Sequence, residues 1–324
     1  MREKRIGGMV GGPPASTYNA SYLLGEIERM EDMGIPAAWL VTSEAGLDAI
    51  TLFAGAAVRT ERTLLGTCIV PTFPRHPVVM AQQVQVIGQL APGRFRLGIG
   101  PANRDSTERP FGLKFHAPLG HLSEYIHILK SLLQGGSVDF DGRYYSAHAR
   151  IESPVDIPVM ASALQAGSFE LCGAEADGAI GWVCPTSYVR DVALPAMERG
   201  AERANRPVPP LVQGMPICVH DDLEEVRTAV REERGFAHPR RPYYQRMFMA
   251  AGYPEASNGK WSDGMMDASM IFGNESQVAE KLEEVFSIGV SEILLHVFSA
   301  GSDREASMER TLRLLADVSR RFED

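Results

Sequence analysis

The chain has 324 residues, 44% of them hydrophobic, with a formal net charge of −9 and a pI near 5.5. That balance argues against nucleic acid or an anionic membrane surface as the main partner, since both would repel it. The length allows a large core, no apolar run is long enough to span a bilayer, and no signal-peptide pattern opens the chain, so a single cytoplasmic domain over 1–324 is expected.

The predicted elements alternate along the chain. Ile6–Val10 reads as a short strand, and Tyr22–Met33 has helical spacing through Leu23, Leu24, Ile27 and Met30. Ala38–Val41 is a strand, and Ala49–Val58 is a helix of small residues able to pack closely. Thr63–Val70 is apolar and β-branched, as a strand buried on both faces should be. It stops at Pro71-Thr72-Phe73-Pro74-Arg75-His76-Pro77, where three prolines in seven residues forbid regular structure. A helix runs from about Val78 to Leu90 and ends at Ala91-Pro92-Gly93, and Phe95–Ile99 completes a parallel strand–helix–strand unit.

Pro101–Pro118 reads as a long loop, Leu119–Leu133 as an amphipathic helix, and Val138–Tyr145 as a hairpin with Asp141-Gly142 at its turn. Ile157–Ala161, Gly178–Val183, Leu211–Val219 and Glu292–Phe298 supply strands five to eight. Helices are expected over Phe169–Glu175, Val189–Ala204, Ser276–Ser287 and Met308–Phe322, and one capped by Asp221 or Asp222 runs through Glu233. Eight such repeats predict an α/β fold, a (β/α)8 TIM barrel. Its insertions fall after strand four, in the connection from strand four to five, and after helix seven, where Gly235–Gly273 is rich in Pro, Tyr, Met and Trp. Insertions of this kind in a compact barrel are lids or partner surfaces.

In such a barrel, ligands meet the carboxyl ends of the strands. Cys68-Ile69 sits at one of them, either as a bulge aiming backbone groups into the mouth or as a small core position. Gly98-Ile99-Gly100-Pro101-Ala102-Asn103 resembles half a dinucleotide fingerprint. Asn103 occupies the third glycine position and no helix is predicted to open there, so a Rossmann site is excluded. The turn is then either a plain one or one that lets a ligand approach, with Asn103 offering both donor and acceptor. Ala163-Leu164-Gln165-Ala166-Gly167-Ser168 puts backbone N–H groups, a glycine and a hydroxyl at a helix start. It is a phosphate seat or an ordinary Ser cap.

His121-x-x-Glu124-x-x-His127 forms a polar helical stripe, read as a solvated face rather than a metal site. Glu44 past strand two, and Glu108 and His116 in the loop after strand four, are candidate acid–base groups at the mouth. Cys68, Cys172, Cys184 and Cys218 form neither a CxxC pair nor a zinc spacing and read as reduced thiols.

Several motifs in order resemble the bacterial luciferase-like superfamily of flavin-type barrels, over nearly the whole chain. Leu65-Gly66-Thr67 with Pro71 and Pro74-Arg75-His76-Pro77-Val78-Val79 is similar to that family's third-strand signature. Pro92-Gly93-Arg94-Phe95-Arg96-Leu97-Gly98-Ile99-Gly100 is similar to its fourth strand, and Ala174-Glu175-Ala176-Asp177-Gly178 to its approach to the sixth. The Pro-Arg-His-Pro form resembles members that use the deazaflavin F420 in place of FMN. Trp39-Leu40-Val41, Gly46-Leu47-Asp48-Ala49, and Phe111-Gly112 with Pro118 resemble the mycobacterial type of F420-dependent oxidoreductase.

The resemblance implies a non-prolyl cis peptide at Cys68–Ile69 behind the ring, residues 163–168 at the cofactor phosphate, and Asn103 and Trp182 lining the ring or side-chain pocket. Many members carry Asp-His after strand two where this chain has Thr42-Ser43-Glu44, and relatives often have His, Asp or Glu where Asn103 stands. Glu44 is therefore the acid–base candidate. The implied protein is a homodimeric F420-dependent oxidoreductase that moves a hydride between the deazaflavin and a small organic substrate. An FMN-dependent monooxygenase and a non-catalytic cofactor-binding protein are the alternatives, and no metal is expected.

Overall fold

A computed structural model describes residues 4–11, 19–43, 45–232 and 236–322. Eight strands form the barrel: β1 (Arg5–Met9), β2 (Ala37–Leu40), β3 (Leu64–Thr67), β4 (Phe95–Gly100), β5 (Val159–Ser162), β6 (Gly178–Trp182), β7 (Leu211–Val219) and β8 (Glu292–Val297). Each lies parallel to the next, and β8 closes on β1 with Ile6 beside Ile293. The predicted third strand is interrupted. Its ladder stops at Thr67, the Cys68–Ile69 peptide is cis as the resemblance implies, and pairing resumes at Val70–Pro71 beside Ile99 and Gly100.

Successive side chains of a barrel strand point alternately to the axis and to the helices. Around the axis, Ala37, Trp39, Met160, Ile180, Val212 and Leu294 form a sealed cluster. Trp39 is the largest of them, and Gly66 on the neighbouring strand makes room for it: a Cβ there would lie 2.6 Å from the indole. On the outside, Leu23, Ile27 and Met30 of the helix Ala20–Asp32 and Met80, Ala81, Val84 and Ile87 of the helix Pro77–Leu90 face the barrel. Capping side chains set where such helices begin. Asn19 accepts from the N–H of Tyr22, and Asp48 from that of Thr51.

The amino-terminal floor of the barrel is ionic. Glu292, 2% exposed, accepts from Arg96 at 2.5 and 3.1 Å and from the Trp39 indole N–H at 2.6 Å, with Arg5 at 3.4 Å. The Arg96 guanidinium lies 4.4 Å over the Trp39 ring.

The insertions depart from their sequence reading. Pro101–Pro118 is not a plain loop, because it holds the helix Arg104–Phe111. Asn103 and Ser106 cap that helix reciprocally, and Gly112 ends it in the left-handed conformation at φ 66°. Only Thr107 is buried in it, so it offers no apolar periodicity to read. The hairpin is present as Ser137–Asp141 paired with Ser146–Arg150. Residues 236–273 contain the helices Pro242–Ala250 and Asp263–Ser269, then a strand Ile271–Gly273 that pairs with the end of β7. Among the described residues, no helix is long and apolar enough to cross a membrane.

Candidate active site

Solvent reaches one layer of inward-facing side chains and no deeper. Met9, Cys68, Ile69, Ser162, Trp182 and His296, at the carboxyl ends of their strands, are half-buried. Trp39, Met160, Ile180 and Leu294 beneath them are sealed. The backbone is unusual at three strand ends of this mouth: the cis Cys68–Ile69 peptide, Ala102 at φ 56° and Val183 at φ 51°. A β-branched residue in the left-handed region is uncommon, and such backbone concentrates at functional sites.

Beside the mouth, the helix Ala166–Glu175 opens after β5. Ser168 Oγ accepts from the N–H groups of Leu164 and Gln165, both at 3.0 Å, and donates to the Gln165 carbonyl at 2.7 Å. Ser168 is thus the cap of its own turn. Ala166 and Gly167, at the first two helical positions, have no acceptor for their N–H groups among the described residues. Gly167 is exposed, and a Cβ there would meet only Leu119 Cδ1 at 3.7 Å. The turn therefore presents two open donors and free space at a helix amino terminus, an arrangement suited to an anion.

The insertion closes over the other side. Trp182 Nε1 donates to His238 Nε2 at 3.0 Å, and the Trp261 indole N–H donates to the Phe236 carbonyl at 2.7 Å. Gln165 Nε2 reaches the Tyr243 carbonyl at 2.8 Å, tying the helix start to the same insertion. His238 and His296 were not picked out by sequence reasoning. Burial above all, with Arg241 and His296 nearby, pulls the His238 pKa down to about 3, and burial pulls that of His296 to about 4. Both rings are therefore neutral at pH 7. The signal for His296 was present: it is an inward polar position in the otherwise apolar Ile293-Leu294-Leu295-His296-Val297.

The predicted site residues divide clearly. Cys68, Ile69 and Trp182 line the mouth, and 163–168 flanks it. Burial raises the Cys68 thiol's pKa, so it is protonated. Asn103 Oδ1 accepts from the Ser106 N–H at 3.1 Å, and its amide nitrogen has no partner among the described residues. Glu44 lies outside the described residues. Glu108 pairs with Arg104 at 2.5 Å and accepts from the Phe115 N–H, and His116 is exposed beside His121.

The His121–Glu124–His127 stripe is solvated only at His127, which is exposed. His121 is buried between Phe73 and Tyr144, ring centroids 4.6 and 4.1 Å away, and Glu124 accepts the N–H groups of Arg143, Tyr144 and Tyr145 to dock the hairpin. No group of His, Cys, Asp or Glu among the described residues is arranged to hold a metal ion.

The Gly98–Gly100 turn is also corrected in two respects. A helix does open after it, at Arg104, but the Rossmann reading still fails for want of the third glycine. Gly98 serves strand packing rather than ligand approach. A Cβ there would meet the Thr67 carbonyl at 1.9 Å, and Thr67 Oγ1 bonds both the carbonyl and the N–H of Gly98, at 2.7 and 2.8 Å. Gly98→Ala is expected to lower the urea midpoint by an amount equivalent to about 3 kcal/mol. An unchanged midpoint would mean β3 can retreat without loss.

A family model described as luciferase-like monooxygenase matches residues 5–292. An F420-dependent glucose-6-phosphate dehydrogenase of Beutenbergia cavernae is 34% identical over 200 residues, which span 58% of this chain and 58% of that protein. An F420-dependent secondary alcohol dehydrogenase, solved with an F420–acetone adduct, superposes with a TM-score of 0.81 at 17% identity, covering 99% of this chain and 100% of that one. The oxygenating constituent of 3,6-diketocamphane monooxygenase from Pseudomonas putida, solved with FMN, superposes with a TM-score of 0.72 at 16% identity, covering 98% of each. The two superpositions are evidence of a shared fold.

Proposed function

Since the chain belongs to the luciferase-like monooxygenase family, we propose that it is an F420-dependent oxidoreductase that moves a hydride between the deazaflavin and a small organic substrate. The observation that carries this reading is the pair of open N–H donors at Ala166 and Gly167 beside a solvent-reached barrel mouth. The residues present fit a phosphorylated cofactor with a flat ring. The relative of Beutenbergia cavernae, which matches over 58% of its length, supports the deazaflavin in particular.

In this reading Ala166 and Gly167 hold the cofactor phosphate, and Cys68–Ile69 and Trp182 bound its ring. The Asn103 amide nitrogen donates at the edge of the pocket. When bound, the deazaflavin supplies or accepts the hydride. The chain fixes the ring against the substrate and keeps water off the reacting carbon, the latter through the insertion that Trp182 latches at His238. Glu44 is the acid–base group we assign. We also include a homodimer, supported by Val79, Val86 and Leu90, which lie exposed along the helix Pro77–Leu90.

The test is an equilibrium titration of the purified protein with oxidised F420 and, separately, FMN, followed by cofactor fluorescence. Tighter F420 binding is expected. Tighter FMN binding would replace this reading with an oxygen-using flavoenzyme, which the FMN-bound superposition supports. Binding of neither would reduce 163–168 to a helix cap, whereas stoichiometric F420 binding without turnover of any substrate in a broad panel would mark a cofactor-binding protein.

A further inference from the structure

We propose that His296 anchors the single polar oxygen of a neutral, largely apolar substrate, a carbonyl compound or the corresponding alcohol; this rests on the oxidoreductase reading above and adds the substrate class. His296 has no hydrogen-bond partner among the described residues, and it is half-buried at the mouth. An inward, half-buried imidazole without a protein partner, on an apolar strand, is a polar contact left for a ligand to make. The walls around it are flat and apolar. Trp182 lies 6.2 Å away and Phe236 5.9 Å away by ring centroids, with Phe298 stacked edge-on behind Phe236 at 5.1 Å.

The neighbouring His238 spends its Nε2 on the Trp182 indole, and its Nδ1 is sealed and unpartnered, so it is not the anchor. Arg241 is a nearby cation, and it is held at the rim on the Tyr243 hydroxyl at 3.1 Å with Asp105 in range. A phosphate or carboxylate drawn in beside His296 would give up its hydration without gaining a charge partner. A neutral imidazole donates from one nitrogen and accepts at the other, so it can hold either a carbonyl or a hydroxyl oxygen. Interconversion of a carbinol and its carbonyl moves the hydride at the carbon that bears this oxygen, so the contact and that chemistry agree.

The experiment titrates protein carrying isotope-labelled histidine with cyclohexanone and with cyclohexyl phosphate, with and without saturating oxidised F420. Imidazole nitrogen shifts report contact at His296, and quenching of tryptophan fluorescence gives affinity. Cyclohexanone should move the His296 resonances saturably, and cyclohexyl phosphate should move those resonances with at least about tenfold weaker affinity. His296→Leu should lose about tenfold in cyclohexanone affinity, whereas His296→Gln, which restores a polar contact, should stay within about threefold of wild type.

Tighter binding of the phosphate as read at the His296 resonances, no saturable response there to cyclohexanone, or a folded His296→Leu protein with wild-type affinity would each overturn the proposal. Should His296→Leu fail to fold, the wild-type shifts and the glutamine variant still decide. The arm without cofactor separates the two claims, since failure of F420 to bind counts against the cofactor reading and leaves the cyclohexanone result to judge His296.

Discussion

Glu292→Ala is expected to destabilise the protein by about 3–5 kcal/mol, because it leaves the largely buried Arg96 guanidinium at the barrel floor without its counter-charge. Glu292 is 2% exposed. It receives two bonds from Arg96 and one from Trp39, and Arg5 sits at 3.4 Å. The alanine would strand the Arg96 guanidinium, already confined against the Trp39 ring, and would also orphan the indole N–H. At about 2–4 °C per kcal/mol for a chain somewhat smaller than this one, the loss corresponds to a fall in Tm of at most about 6–20 °C.

The same cluster predicts a pH dependence. Burial alone would raise the Glu292 pKa, but Arg96, Arg5 and the Trp39 donor outweigh it and hold the carboxyl below the usual range. A carboxyl depressed in the folded state adds stability above its unfolded pKa of about 4.3 and loses it as the pH falls through the folded value. Wild type should therefore exceed Glu292→Gln by a constant margin between about pH 5 and 8, and the two midpoints should converge in acid. Equal stability at neutral pH would show that the floor relaxes around an unpaired arginine.

The barrel was legible in the sequence because its signal is repetitive. Each apolar strand is followed by a helix whose buried stripe has a different period, and β7 was read at Leu211–Val219, the observed limits. What was not legible lacks a local signal. The helix Arg104–Phe111 buries one residue and is defined by its caps alone. The Glu292 cluster joins four strands, and no window of sequence holds more than one of its members. Gly98 looked like a ligand turn because a glycine demanded by the neighbouring Thr67 carbonyl is indistinguishable, in sequence, from one demanded by a cofactor. At the mouth, the resemblance pointed to strand three, Asn103, Trp182 and 163–168, whereas His238 had to be read from the way the insertion folds back over β6.

Gly167→Asp is expected to weaken F420 binding about a hundredfold while leaving the fold as stable as before or slightly more so. The two effects have opposite signs, which is the value of this substitution. The space is available, because a Cβ at Gly167 would meet only Leu119 Cδ1 at an ordinary 3.7 Å, and the residue has no positive φ to lose. A carboxylate in the first turn of Ala166–Glu175 interacts favourably with the helix amino terminus, by about 0.3–1 kcal/mol. A cofactor phosphate seated on the Ala166 and Gly167 N–H groups would instead face that charge across about 4–5 Å, worth about 3–4 kcal/mol at an effective dielectric of 20.

Exposure of the site and screening by salt reduce this to about 2–3 kcal/mol, which is the hundredfold expected. Gly167→Asn has nearly the same shape without the charge and should lose no more than about tenfold. The deficit of the aspartate variant should also shrink at high ionic strength, which a purely steric block would not do. Fluorescence titration of F420 at two salt concentrations, alongside thermal melts, separates these cases. Unchanged F420 affinity in Gly167→Asp would mean that the phosphate, if the protein binds one, sits elsewhere than on this helix.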